Sequence, residues 1–182
     1  MELAPRARRN RQEYKRLRAY GWLWAVFAAS LAVAFIFTAL FTSIRATDAG
    51  MAPFVAENDI VLYSRLSRYV LAPKRGDVLA FYAEKNGPTY VGRAVGLPGE
   101  TVEIRGGRVY IDGVLLDESA YASGACPDMA ALSVPEGCYF VLPDARAYAG
   151  VEDAAKLTVS GNAIVGTAFL RVSPLHRIAL FK

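Results

Sequence analysis

Twenty-two consecutive residues, Tyr20 to Phe41, carry no charged side chain. Wound as a helix rising about 1.5 Å per residue, such a run crosses a hydrocarbon core of about 30 Å. Trp22 and Trp24 sit near one end, where amphipathic rings favour a membrane–water interface. A cleaved signal peptide is the competing reading. Against it, the run is longer than the usual apolar region of about 7–15 residues, and no small-x-small site closes it. The spacing therefore predicts a retained anchor in a lipid bilayer. It divides the chain into a basic tail over residues 1–19, a transmembrane helix over 20–42 and a domain over 43–182.

Charge sets the expected direction of insertion. Arg6, Arg8, Arg9, Arg11, Lys15, Arg16 and Arg18 precede the run, against Glu2 and Glu13, and only Arg45 follows it closely. Positive flanks stay in the cytoplasm. The expected topology is a single-pass plasma-membrane protein with its N-terminus inside and its C-terminal domain extracellular. The net charge of +4 does not signal nucleic acid, because the excess lies in the tail. From Ala46 onward acidic residues slightly outnumber basic ones.

Beyond the anchor the pattern changes to short β-rich runs: Ile60–Tyr63, Val78–Tyr82, Thr89–Ala94, Thr101–Ile104, Arg108–Ile111, Tyr139–Leu142 and Ala168–Val172. Turn residues punctuate them at Lys74-Arg75-Gly76-Asp77, Asn86-Gly87-Pro88 and Pro135-Glu136-Gly137. Arg105-Gly106-Gly107 and Asp112-Gly113 read as hairpin turns. The expected fold is mainly β and antiparallel, with Asp117–Ser133 as a long loop. Cys126 and Cys138 fall in the external region, where a disulfide is permitted. A bridge is expected, with two free thiols as the alternative. The only histidine, His176, stands far from both cysteines, so neither a metal site nor a cofactor is expected.

Four short segments occur in a fixed order behind the anchor: Gly50-Met51-Ala52-Pro53, Arg75-Gly76-Asp77-Val78, Tyr90-Val91-Gly92-Arg93-Ala94-Val95-Gly96-Leu97-Pro98-Gly99 and Leu142-Pro143-Asp144-Ala145-Arg146. Alone, each is a strand end or a turn. Together they resemble the type I signal peptidases, membrane-bound serine–lysine proteases that trim secretory signal peptides. The resemblance runs from the apolar segment to the C-terminus. It implies structural roles for Pro53, Asp77, Arg93, Gly96, Pro98, Gly99, Asp144 and Arg146.

The resemblance also implies where the chemistry should be. A Ser–Lys protease needs a hydroxyl nucleophile and a lysine held neutral by apolar burial. In the family the serine precedes the Met of S-M-x-P, which here is Gly50. The lysine precedes the arginine before the G-L-P-G turn, which here is Gly92. Two positions before the nucleophile the family carries a small or hydroxyl residue, and here stands Asp48. The family's L-G-D-N-R-x-x-S-x-D-S-R segment survives only in Leu142, Asp144 and Arg146. Pro143, Ala145, Ala149, Val151, Glu152 and Asp153 replace the rest. Asp48 and Asp144 as a carboxylate pair, Ser43 or Thr47 as nucleophiles, and Lys85 as a base are poor substitutes.

Members lacking the dyad, found beside sortase-built pili in Gram-positive bacteria, act as pilin assembly factors. By that resemblance the chain is expected to be a non-hydrolytic binder of secreted polypeptide, a pilin subunit foremost. The implied peptide groove is lined by Ala46, Thr47, Met51, Tyr90 and Val91. Gly50 and Gly92 are expected to widen its floor. The alternatives are an active signal peptidase and a scaffold for a sortase-type membrane enzyme.

Overall fold

The computed structural model describes residues 4–68, 70–83, 87–150 and 157–181, with side chains from Tyr20 onward except those of residues 67–68. Lys85, Asn86, Val151, Glu152 and Asp153 therefore lie outside the described residues, as do Glu2 and the side chains of the basic tail. Two units are distinct: residues 1–40 and residues 41–182.

The first unit is one helix, α1 (Ala4–Leu40). Its stretch Tyr20–Leu40 has a mean hydropathy of 2.3. Trp22, Trp24 and Phe35 are all roughly 70% exposed. A stretch this long and this apolar is able to cross a hydrocarbon core, consistent with a single-pass anchor. The helix stops one residue earlier than the apolar run. Phe41 and Thr42, expected in the helix, instead open strand β1 (Phe41–Arg45), because their backbone pairs with β2 (Ile60–Ser64) in the register Phe41↔Ser64 to Arg45↔Ile60.

The second unit is mainly β, and all of its named strand pairs are antiparallel. The main sheet also contains β3 (Val78–Tyr82), β4 (Thr89–Gly96), β9 (Cys138–Leu142), β10 (Thr158–Ser160), β11 (Ile164–Ser173) and β12 (Ala179–Leu180). Its order is β1-β2-β11-β3-β4-β9-β10, with β12 paired to β11. A smaller sheet comprises β5 (Thr101–Arg105), β6 (Arg108–Ile111), β7 (Val114–Leu115) and β8 (Met129–Ser133), ordered β7-β6-β5-β8.

Strand β3 shows how the sheet is covered. Val78, Leu79, Ala80 and Phe81 are all buried, so the strand has protein on both faces. Side chains alternate, so Val78 and Ala80 join a cluster with Met51, Val55 and Tyr63. Leu79 and Phe81 join another with Ala94, Tyr139 and Val141. A third cluster, with Val95, Val102, Ile104, Phe140 and Leu142, ties the small sheet to β4 and β9.

Both expected hairpin turns form. Gly106 and Gly107 have φ of +55° and +75°, and Asp112 and Gly113 have +49° and +80°. Two successive positive φ values match the strand twist, which explains the glycines. The expected loop Asp117–Ser133 is only partly a loop, because Met129–Ser133 pairs with β5 as β8. The run Ala168–Val172 is the second half of the longer β11.

The expected disulfide does not form: Cys126 and Cys138 are free thiols. Cys126 is buried beside the β5–β6 turn, its N–H on Gly107 O, and Cys138 opens β9 opposite Ser160. Different backbone partners fix the two. Burial also raises the Cys126 pKa, which keeps it a thiol. Alkylation of the native protein should spare Cys126, and denaturation should expose two modifiable thiols without reductant. A mass two hydrogens lower with no adduct would restore the bridge.

Candidate functional site

The segment after β1 turns back over the sheet. Ala46 N donates to Asp59 O, Asn58 N to Ala46 O and Val55 N to Met51 O. Ala145 N then donates to Gly50 O at 2.9 Å, joining this segment to the end of β9. Gly50 is buried. Its N–H donates to Asp48 Oδ1 at 2.8 Å. That carboxylate therefore occupies the Gly50 backbone donor.

Gly92 lies mid-strand in β4, opposite Leu79. A Cβ there would fall 2.4 Å from Val141 Cγ1 and 3.4 Å from Leu142 O. A Cβ on Gly50 would fall 3.0 Å from Asp48 Oδ1 and 3.6 Å from Pro143 Cβ. Both glycines thus face the stretch Val141-Leu142-Pro143. The structure sets both glycines against one stretch of chain, but it does not leave an enlarged floor at Gly92. Val141 fills the volume where a side chain would begin, because close packing does not tolerate a void in a strand interior.

Of the expected groove residues, Ala46, Thr47, Met51 and Val91 surround one cavity together with Arg45, Asp48, Val55 and Thr89. The cavity holds about 10 Å³, the room of one water. Met51 is 2% exposed and belongs to the core. Tyr90 is absent from this lining. Strand alternation sends it to the other face of β4 from Val91, where it is half exposed and stacks on Phe81 at 6.2 Å between ring centres.

The motif residues form the frame. Arg93 is a buried hub: Nε donates to Asp144 Oδ1 at 2.7 Å, Nη2 to Asp144 Oδ2 and Nη1 to Gly76 O at 2.6 Å. The Tyr121 ring lies 4.2 Å from its guanidinium carbon. Asp77 O accepts Ala94 N–H, and the Asp77 carboxylate accepts Lys74 N–H at 2.8 Å. Gly96 ends β4, and the turn follows at Pro98 and Gly99. Gly99 has φ +82° there and donates to Val134 O. Arg146 donates to Pro143 O at 2.7 Å and pairs with Glu118. Pro53 O accepts Arg177 Nη2 at 2.9 Å.

Residues outside the motifs complete this frame. Glu118 and Tyr121 come from the expected loop, and Ser123 hydrogen-bonds to the backbone of Asp144 and Arg146. Burial raises the Glu118 pKa, outweighing the attraction of Arg146. Burial, then the Glu118 charge, pushes Tyr121 up to about 12. Arg171 and Arg177 reach back more than a hundred residues to Asp59 and to the carbonyls of Phe54 and Pro53. An arginine–aspartate pair at such a separation leaves no local sequence signal.

Comparison with known proteins follows the same frame. The family model described as "Signal peptidase, peptidase S26" matches residues 19–172. A signal peptidase I of Bacillus licheniformis is 30% identical over 72% of this chain and 76% of its own length. Signal peptidase I P of Bacillus subtilis subsp. natto is 25% identical over 93% of this chain and 97% of its own. The probable signal peptidase I-2 of Synechocystis is 29% identical over 73% of this chain, and the match spans 63% of that relative's length. A solved signal peptidase I of Enterococcus faecalis V583 is 34% identical over 52% of this chain and 95% of that one, with a TM-score of 0.44. By this match over most of its length, the chain belongs to the signal peptidase family, peptidase S26.

Proposed function

We propose that this signal peptidase-like protein is a membrane-anchored, non-hydrolytic binder of secreted polypeptide, acting as a chaperone or assembly factor for pilin-type subunits. One observation carries the reading: both positions that should supply the nucleophile and the base are glycines, Gly50 and Gly92. Glycine offers neither a hydroxyl nor an amine. Support comes from Asp48, whose carboxylate occupies the Gly50 N–H. A client strand can still bind by backbone hydrogen bonds along an exposed strand edge, which requires no dyad. The water-sized cavity by Ala46, Thr47 and Val91 suits such a strand with a small side chain better than a bulky one.

Thr47 is the clean probe of this groove. It lines the cavity and is exposed, so Thr47→Asp leaves the core intact. Crosslinking to a pilin client should fall by tenfold or more while the protein still accumulates. Unchanged crosslinking would refute client binding here and favour a sortase scaffold. Met51→Asp is a different experiment, because a carboxylate at a 2% exposed position costs several kcal/mol and unfolds the domain.

The orientation follows from the basic tail before Tyr20. Protease added to intact cells should remove the β domain, and full protection would reverse the topology. A second reading, an active signal peptidase, is favoured by the relatives, which are named as such. Cleavage of a preprotein separates the two.

A further inference from the structure

A larger cavity adjoins the water-sized one. Val91 lines the small cavity and Arg93 the large one, two positions along the same face of β4. Met51 and Val55 wall the small cavity, and Pro53 and Phe54, which lie between them in the chain, wall the large one. The large cavity holds about 440 Å³, within the ordinary range of about 300–1,000 Å³ for a ligand site. Leu180 and Phe181 add apolar wall. Phe54 and Leu180 remain 40% and 71% exposed.

The cations here exceed the anions. Asp144 matches Arg93. Asp59 alone serves both Arg171, which lines the cavity, and Arg177, at 3.7 and 3.3 Å. Arg171 is held in place: Nε donates to Arg177 O at 2.6 Å and Nη1 to Phe54 O. Its Nη2 has no protein partner among the described residues. A guanidinium fixed by its neighbours loses little freedom on gaining an anion, and its planar fork suits a carboxylate.

The strand pairing says which carboxylate is at hand. Strand β3 pairs with β4 from Thr89 to Arg93, whereas β9 pairs with β4 only from Arg93 to Gly96. Among the described residues no strand covers the other edge of Thr89, Tyr90 and Val91. A client strand added there rises about 3.3 Å per residue, the same step as β4 itself. A client residue two positions from the one level with Val91 is therefore level with Arg93, which lines the large cavity.

We propose that this cavity is an acidic-residue subsite of the client groove. It takes a client segment in which an aspartate or glutamate adjoins an apolar residue. The carboxylate meets Arg171 Nη2, and the apolar side chain lies against Phe54 and Leu180. A wholly apolar segment would leave the Arg171 charge unmatched, and a bare anion would leave the walls unused. The inference rests on the groove reading above and adds the chemical class of client that the groove selects.

The test uses the full chain in a neutral detergent and fluorescence anisotropy of a dye-labelled, end-blocked octapeptide. The probe is built of alanine and serine around one leucine–aspartate pair, and its control carries asparagine for the aspartate. The aspartate probe should bind at least tenfold more tightly than the asparagine control. Arg171→Gln should erase that preference. Leu180→Asp, at an exposed position that does not support the fold, should weaken the aspartate probe tenfold or more and leave the asparagine control within about twofold, which a loss of structure would not do. Equal binding of the two probes, with both lost in Thr47→Asp, would overturn the acidic subsite and keep the groove. Binding of neither probe would overturn the groove and the subsite together. An aspartate preference that survives Leu180→Asp would place the carboxylate elsewhere and overturn this cavity.

Discussion

Detergent-solubilised protein incubated with a secretory preprotein should release no mature product above a buffer control, and Gly50→Ser with Gly92→Lys should not change that. Removing the groups of a catalytic unit costs about 10⁶ in rate, so the native chain starts with nothing to detect. Restoring the two side chains meets two obstacles. The lysine Cβ would sit 2.4 Å from Val141 Cγ1, so the valine must move, an overpacking that costs typically 1–3 kcal/mol. The serine Cβ would sit 3.0 Å from an Asp48 carboxylate oxygen that already accepts the adjacent N–H. Losing one oxyanion donor costs about 10²–10³, and a carboxylate in its place also repels the developing charge. Adding Asp48→Ser and Val141→Ala to the pair is the variant from which slow cleavage is expected. A mature band from the wild type would establish the active peptidase, and one from the double variant would show that Asp48 and Val141 are not the barrier.

Asp144→Ala should be the most damaging single change to the fold. Asp144 is fully buried and accepts two bonds from Arg93, itself 6% exposed. Removing one partner of a buried pair strands the other charge, at about 3–5 kcal/mol. For a domain of this size the unfolding midpoint should fall by about 10 °C or more. The hub also holds Gly76 O and faces Tyr121, so β3, β4 and the 117–126 segment should loosen together. Arg93→Met in the same background should recover part of the loss, because removing both charges costs less than removing one. A thermal melt of the two variants decides it. A shift under 3 °C for Asp144→Ala would mean that solvent, and not Asp144, balances Arg93.

Much of the fold was legible in the order of residues. The apolar run was legible as one long helix, and the structure has that helix, apolar and long enough to cross a membrane. Gly106-Gly107 and Asp112-Gly113 had to be hairpin turns, because consecutive positive φ values all but require such residues. That positions 50 and 92 offer neither a hydroxyl nor an amine was also plain, since both are glycines. These properties are local: they depend on the residue and its immediate neighbours.

Tertiary structure decided the remainder. Met51 and Tyr90 both read as groove residues, yet one lies in the core and the other on the opposite face of β4 from Val91. Which face of a strand is covered depends on a segment arriving from elsewhere, here residues 46–55. Whether Gly92 opens a cleft depended on Val141, forty-nine positions away, and Val141 closes it. Arg171 and Arg177 meet Asp59 only because β11 lies beside β2. Packing and pairing at long range carry no signature in any window of sequence, so they appear only when the chain closes on itself.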